Sequence, residues 1–383
     1  MLKIGLLGFT LENANKGCEA LTYSFIFMLK KYFGTDISIR YYSTAELYGS
    51  IREYFPDIEF SYYQLSKKNV LTGLLKDFNK CDLIFDISFG DGFSDIYNPY
   101  DEFFNAVIKQ IATFSKTPFI LLPQTYGPFK NRILEKQAAH IIRKTNVVFS
   151  RDGLSSEYVE NIANIKPVTV TDLAFSLPYE KNNNNRSEKI KIGINVSGLL
   201  WKGGFLSSNQ FGLSVDYQEY IRALIENYYH DERYEVHLIP HVIETVPESR
   251  DGDVYVNELL KKEYPSIITA PAFSDPVKTK NYIAGMDVVT AARMHATVDA
   301  FSSFVPVIPF AYSRKFEGLY KVLGYKFIVD GQSCTTHQAI QQTIEWINAY
   351  KEIACDVITG MKTVEKHTAE FETILKEFIT KHK

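Results

Sequence analysis

The sequence predicts an α/β protein built from two doubly wound domains, each a parallel sheet with helices on both faces. Three observations carry the prediction. At 383 residues the chain is longer than one compact domain usually is. Short, continuously apolar runs recur along it, separated by stretches with helical periodicity, which is the pattern of strands covered on both faces and joined by crossover helices. A polar, low-complexity segment, YEKNNNNRSEK (179–189), interrupts that rhythm once and reads as a linker.

Before the linker the strand-like runs are LKIGLLGF (2–9), ISIRYY (37–42), DLIFDI (82–87), PFILLP (118–123), NVVFS (146–150) and VTVTD (168–172). After it come IKIGINV (190–196), EVHLIP (235–240), SIITA (266–270), DVVTA (287–291), VPVIPF (305–310) and KFIVD (326–330). Segments such as NRILEKQAAHIIRK and VDYQEYIRALIENYY have apolar residues at helical spacing. The expected organisation is an N-terminal domain over 1–178, the linker 179–189, a second domain over 190–334, and C-terminal helices over 335–383, the last amphipathic over about 361–380. That last helix would cap the second sheet or cross back to the first.

Composition narrows the function. The chain is 45% hydrophobic and 23% charged, with a formal net charge of -3. A general nucleic-acid binder would show a basic excess, so no nucleic-acid partner is expected. Aromatic residues make up 14%, which suits stacking on sugars or simply thick aromatic cores. The four cysteines, Cys18, Cys81, Cys334 and Cys355, form no CxxC and no zinc pattern. No metal is expected, and reduced thiols fit a cytoplasmic location. The N-terminal MLKIGLLGFT reads directly as a strand without a leader pattern, and no apolar run reaches the length of a membrane span.

In open parallel sheets ligands bind beyond the carboxyl ends of the strands, and the chemically distinctive residues collect there. ARMH (292–295) follows one strand-like run and AYSRK (311–315) the next. Arg293 and His295 would open a helix whose amino end favours an anion. Arg offers a planar fork for a carboxylate or phosphate, and His a proton near neutral pH. The structural alternative is an Arg293 ion pair with a neighbouring acid and a His295 satisfied in the core. Of Arg314 and Lys315, Lys315 is placed inward. Arg151, in SRD, is either a ligand contact or a local partner of Asp172, with Asp152 as N-cap of the next helix. Asp91 in SFGDGFSD, Asn15 and Glu19 in ENANKGCEA, and His241 in IPHVIE could orient or deprotonate a hydroxyl. Neither GLLGFT nor SFGDGFSD is GxGxxG, and no GxxxxGK[ST] occurs, so neither a dinucleotide site nor a P-loop is predicted.

Taken in order, NKGCEAL, FGDGFSD, PQTYGP, SRD, TD and above all DVVTAARMHA followed by VPVIPFAYSRK resemble the polysaccharide pyruvyl transferase family, over roughly residues 2–330. The resemblance implies two facing Rossmann-like domains in a GT-B-like arrangement, the first on the acceptor side and the second on the donor side. It implies transfer of a pyruvyl (carboxyvinyl) unit from phosphoenolpyruvate to a sugar of a surface polysaccharide or its precursor, forming a pyruvate ketal, with no cofactor beyond that co-substrate. Donor contacts carry over to Arg293 and His295 through RxH, to Arg151 through SRD and to Lys315 through Y..K. Asn15, Glu19, Asp91 and His241 are the acceptor-side candidates, and His295 the general acid. Two departures stand out: Gly90-Asp91-Gly92 where the family commonly has three glycines, and Cys18 where it often has an acid. The expected place is the cytoplasm, at the inner face of the membrane if the acceptor is lipid-linked. The competing expectations are a GT-B glycosyltransferase using a nucleotide sugar and a non-catalytic glycan-binding protein.

Overall fold

The computed structural model describes residues 1–46, 48–95, 99–180, 188–204, 208–244, 246, 249 and 251–382. Positions 181–187 of the polar stretch read as a linker lie outside the described residues. The chain divides into two compact units. The first comprises Met1–Glu12, Leu21–Leu173 and Glu365–Lys383, the second Asn13–Ala20 and Ala174–Val364. The expectation kept residues 1–178 together; instead, a short segment after the first strand, Asn13–Ala20, belongs to the second unit. The end of the last helix belongs to the first unit, one of the two placements the sequence offered for it.

The first unit carries β1 (Leu2–Leu7), β2 (Ile37–Ser43), β3 (Glu59–Gln64), β4 (Leu83–Asp86), β5 (Phe119–Leu121), β6 (Val147–Ser150) and β7 (Val168–Thr169). They form a sheet in the order β3-β2-β1-β4-β5-β6-β7. The second carries β8 (Ile190–Asn195), β9 (Tyr234–Leu238), β10 (Ile268–Thr269), β11 (Val288–Ala291), β12 (Val307–Ala311) and β13 (Val329–Asp330), in the order β10-β9-β8-β11-β12-β13. Every strand pairing is parallel. Both sheets therefore run outward from their first strand in one direction, return, and continue in the other, which is the doubly wound Rossmann-like plan.

Helices connect these strands: α1 (Lys16–Phe33), α2 (Ile51–Tyr54), α3 (Lys67–Thr72), α4 (Leu74–Phe78), α5 (Pro99–Phe114), α6 (Arg132–Lys144) and α7 (Gly153–Ala163), then α8 (Gly198–Trp201), α9 (Tyr217–Tyr229), α10 (Asp253–Glu263), α11 (Pro276–Ile283), α12 (Met294–Ser302) and α13 (Arg314–Val322). The chain ends in α14 (Thr336–Asn348) and the 32-residue α15 (Tyr350–Lys381). A Thr335 capping box opens α14. In the second unit Gly360 of α15 lies so close to Phe301 that a Cβ would stand 2.6 Å from the ring. In the first, Phe371 meets Phe149 edge-on at 4.8 Å.

Each predicted strand run overlaps one of these strands. The most continuously apolar runs are the most buried, on both faces, as in β4 and β11, whose four residues are all buried. The strand without a predicted run is β3, EFSYYQ, an edge strand with a half-buried pattern and no continuous apolar stretch. The helix α12 is buried along nearly its whole length, and Phe301 near its end is fully enclosed by Phe175, Tyr320 and Tyr325. Burying such a ring contributes about 1.5–3 kcal/mol, and it fixes where the head of α12 points. No helix among the described residues is long and apolar enough to cross a membrane.

Candidate active site

In the second sheet the strand order reverses between β8 and β11, the position at which open α/β sheets form a ligand crevice. The chain leaving β11 enters α12 through Arg293, so the sequence reading of RMH at a helix head holds. Arg293 is the N-cap residue and His295 the second residue of the helix.

Arg293 is 7% exposed and its guanidinium is engaged. Nε and Nη2 donate to Asp253 Oδ1 at 3.1 and 2.7 Å, Nη1 donates to Asp251 Oδ1 at 2.6 Å, and Nη2 also donates to the Asp251 carbonyl. Burial works against the charge, but Asp253 and Asp251 outweigh it and hold Arg293 more firmly protonated than a free arginine. The two acids differ: the side chain of Asp253 is fully buried, whereas that of Asp251 is 29% exposed. Asp253 accepts six bonds, from Gly198 N, Arg293 Nε and Nη2, Asn195 Nδ2, His241 N and Val242 N. The Arg293 amide donates to Asn195 Oδ1 at 2.9 Å. Asp253 and Asn195 thus tie the ends of β8, β9 and β11 together through Arg293. Sequence reading missed Asp251, Asp253 and Asn195; the only signal was an Asp-Gly-Asp turn entering a helical pattern.

His295 is half-buried and packs against the first turn of α1: a Cβ on Gly17 would stand 2.2 Å from its Nδ1. Only glycine lets the backbone approach that closely. The segment holding Gly17 is pinned within the second unit. Asn15 forms an antiparallel bridge with Val242, Lys16 N donates to the His241 carbonyl at 3.0 Å, and Ile243 N to the Ala14 carbonyl at 2.8 Å. The Asn15 side chain caps this turn, accepting from Gly17 N at 3.0 Å. Glu19, 1% exposed, meets Lys16 Nζ through Oε2 at 2.5 Å. Lys16 also donates to the carbonyls of Asn13 and Ser274. Glu19 Oε1 is buried and makes no hydrogen bond among the described residues. Burial, reinforced by Asp275 and opposed by Lys16, pushes the Glu19 carboxyl up to about 7.

His241 is 1% exposed and its Nε2 sits 3.1 Å from Asp299 Oδ2, one helical turn beyond His295 on α12. Nearby Lys280 is fully buried, donates to the Leu177 carbonyl at 2.7 Å, and is brought down to about 8 by burial, with Asp299 acting the other way. The structure therefore gathers Asn15, Glu19, His241, Arg293 and His295 around the heads of α1 and α12.

The helix caps sharpen the picture. α8, α9, α11 and α14 are closed by Ser197, Asp216, Asp275 and Thr335 side chains accepting backbone N–H bonds. Besides α10, which starts from Gly252, α12 and α13 have no side-chain cap: the first is capped by an arginine, which has no acceptor, and the second by Ser313, whose side chain makes no cap bond. These two helices follow the adjacent strands β11 and β12. α13 opens with Arg314 and Lys315, both half-buried. A broad groove of about 1000 Å³ elsewhere in this unit, along α9, is lined by none of the candidate residues.

Arg151 and Asp91 belong to the first unit. Arg151, 3% exposed, donates from Nη1 to Asp172 Oδ2 at 2.6 Å and from Nε to Thr125 Oγ1 at 2.9 Å, so the local pairing named from the sequence is the one seen. Burial weakens its hold on the proton, but Asp172, Asp91 and Asp152 more than compensate. Asp152 caps α7, accepting from Ser155 N at 2.7 Å. Asp91 closes the short 3-10 turn Ser88–Gly90.

Solved structures share this fold. The Anabaena protein HepE in complex with UDP superposes with a TM-score of 0.59 at 13% identity, over 98% of this chain and 100% of that one. The UDP-GlcNAc 2-epimerase of Neisseria meningitidis bound to UDP-GlcNAc gives 0.59 at 11% identity, with the same coverage. An α,α-trehalose-phosphate synthase (UDP-forming) of Burkholderia vietnamiensis gives 0.53 at 9%, over 100% and 99%. At such identities the likeness establishes the α/β, two-domain Rossmann-like fold of GT-B enzymes. No curated protein matches the sequence of this chain. The family model for polysaccharide pyruvyl transferase matches residues 15–314, a span that runs from Asn15 to the first residue of α13 and takes in both sheets except β1 and β13 with all the strand-end segments between. The chain is a member of the polysaccharide pyruvyl transferase family.

Proposed function

We propose that this chain transfers a pyruvyl unit from phosphoenolpyruvate to two hydroxyls of a sugar in a surface polysaccharide or its precursor, closing a cyclic ketal. The observation that carries the reading is the pair of helix heads at neighbouring strand ends. α12 and α13 lack side-chain caps, and each is opened by basic residues. Helix amino ends and cations together suit an anionic ligand, and phosphoenolpyruvate brings a phosphate and a carboxylate. His295 and Lys315 are the donor contacts. Arg293 joins them by exchanging the partly exposed Asp251 for a donor oxygen while Asp253 keeps it in place. Arg151 is already engaged by Asp172 and Thr125 in the first unit, and a donor role for it requires that pair to open.

The chemistry balances on these groups. An acceptor hydroxyl adds to C2 while C3 takes a proton from His295, which the hydroxyl proton replaces. The C2–O bond to phosphate breaks, and the second hydroxyl captures C2, its proton leaving with phosphate. Glu19, near 7, is suited to accept and return that hydroxyl proton, with Asn15 and His241 as further acceptor contacts. The test is phosphate release from phosphoenolpyruvate on mixing with candidate glycans. Release that requires an acceptor supports the proposal. Because the UDP-bound structures named above share the fold, UDP-glucose and UDP-GlcNAc are run alongside; turnover of either, with none of phosphoenolpyruvate, overturns it in favour of a nucleotide-sugar transferase.

A further inference from the structure

The first sheet has its own switch point, between β1 and β4, and a cavity of about 90 Å³ lies there. Gly8, Asp86, Ser88, Asn105 and Lys109 are among its walls. The backbone around it is unusual. Gly8, Ser88, Phe89 and Gly90 all have positive φ, at 67°, 44°, 56° and 92°, conformations that cost a non-glycine residue about 1–3 kcal/mol and that concentrate at functional sites. A Cβ on Gly8 would strike Ser88 N at 2.5 Å and approach Asp86 Oδ1 to 2.9 Å, so the glycine lets the two strand ends close on each other.

Asp86 is completely buried. Its Oδ2 accepts from Ser88 Oγ at 2.7 Å, but Oδ1 makes no hydrogen bond among the described residues. The nearest cation is Lys109 Nζ, 4.0 Å away and also buried, with its ammonium over the Phe93 ring at 5.3 Å. That gap is longer than a hydrogen bond. A buried carboxylate and ammonium held apart, with the orphaned carboxylate oxygen facing the ammonium across that gap, cost stability unless something fills the interval.

We propose that this cavity is a binding pocket for a neutral, hydroxyl-bearing ligand edge, a sugar diol bridging the Asp86 carboxylate and the Lys109 ammonium. The identification as a sugar rests on the reading of the chain as a glycan-modifying transferase. Charge argues against an anion. Asp86 lines the pocket, and Glu102, one turn before Asn105 on α5 and pushed up to about 7 by burial and by Asp86 and Asp95 against the pull of Lys109, adds acid rather than base. One lysine among these acids cannot supply what a phosphate or carboxylate needs, whereas a hydroxyl donates to Asp86 and accepts from Lys109 at once. The volume, equal to about three waters, admits the hydroxylated edge of one sugar ring and not a nucleotide.

The experiment uses the full chain and saturation-transfer NMR with glucose, galactose, mannose and N-acetylglucosamine, with inorganic phosphate as the anionic competitor. Lys109→Met and Asn105→Leu are compared with the parent, their folding checked by thermal melts; Asn105 is half-buried and its replacement keeps α5 intact. At least one sugar binds the parent, is not displaced by phosphate, and is weakened at least tenfold by both variants. Binding of no sugar, equal binding to parent and Asn105→Leu, or displacement by phosphate overturns the proposal. Phosphoenolpyruvate binding is measured in the same samples. Its retention with no sugar bound to the parent sinks the pocket alone; its absence with the sugar held in the pocket sinks the donor reading alone.

Discussion

The two switch points occupy the same place in the same strand order, yet they handle charge in opposite ways. In the first sheet an acid, Asp86, ends the fourth strand, buried and only partly satisfied, with a single lysine held 4.0 Å off. In the second sheet the fourth strand ends in alanine, and the acid, Asp253, is set behind it at the head of α10, where it accepts six bonds. The basic residues there stand forward, at the heads of α12 and α13. The fold supplies a crevice in both cases; which residue sits at the strand end, and whether its counter-charge is in contact, decides what the crevice can hold.

The sharpest way to break this contrast is to neutralise each acid in turn. Asp253→Asn puts an amide donor among six N–H donors and strips Arg293 of its buried partner, so it is expected to destabilise the protein by about 3–5 kcal/mol, read as a fall in the urea midpoint. Arg293→Lys, which loses the fork onto Asp253, moves in the same direction by a smaller amount. A second effect concerns Glu19. Its folded pKa near 7 lies above the ordinary carboxylate value, so the folded state holds a proton that the unfolded state has released. Stability from this group is fully present below pH 4.5 and is lost as pH rises through 7, amounting to roughly 3–4 kcal/mol at most. Subtracting the pH–stability curve of Glu19→Gln from that of the parent isolates this slope; a flat difference contradicts it. The smallest effect is expected at Asp86, held above the usual carboxylate range by burial, with Lys109 and Ser88 opposing. Because burial already weighs against the charge of this acid and its Oδ1 makes no hydrogen bond among the described residues, Asp86→Asn should cost less stability than Asp253→Asn. A loss as large as that of Asp253→Asn would show that the two acids are equivalent after all.

Much of this is legible in the sequence. The strands buried on both faces declare themselves as apolar runs, and β3 does not, because an edge strand with Tyr and Ser facing half-buried surroundings has no such run. The placement of Arg293 and His295 follows from a strand run meeting a helical pattern, and Arg151–Asp172 is readable as a pair because both stand at the ends of successive strand runs only 21 residues apart. The partners of Arg293 are not legible. Asp251 and Asp253 lie 42 and 40 residues away, and polar contacts between distant strand ends leave no period to read. The same holds for His241 with Asp299, 58 residues apart, and for the assignment of Asn13–Ala20 to the second unit. That follows from main-chain bonds to residues 241–243 that only the folded chain brings near.

The proton donor at the head of α12 is the point on which the proposed reaction turns, and His295→Asn tests it most directly. The substitution keeps hydrogen-bonding capacity but cannot deliver a proton at neutral pH. With phosphoenolpyruvate and a working acceptor, kcat should fall by about 10² to 10⁴, while the affinity for phosphoenolpyruvate, measured by calorimetry, and the melting temperature stay close to those of the parent. Normal turnover in this variant would contradict the assignment and move the general acid to His241; loss of folding would mean that His295, packed against Gly17, is structural.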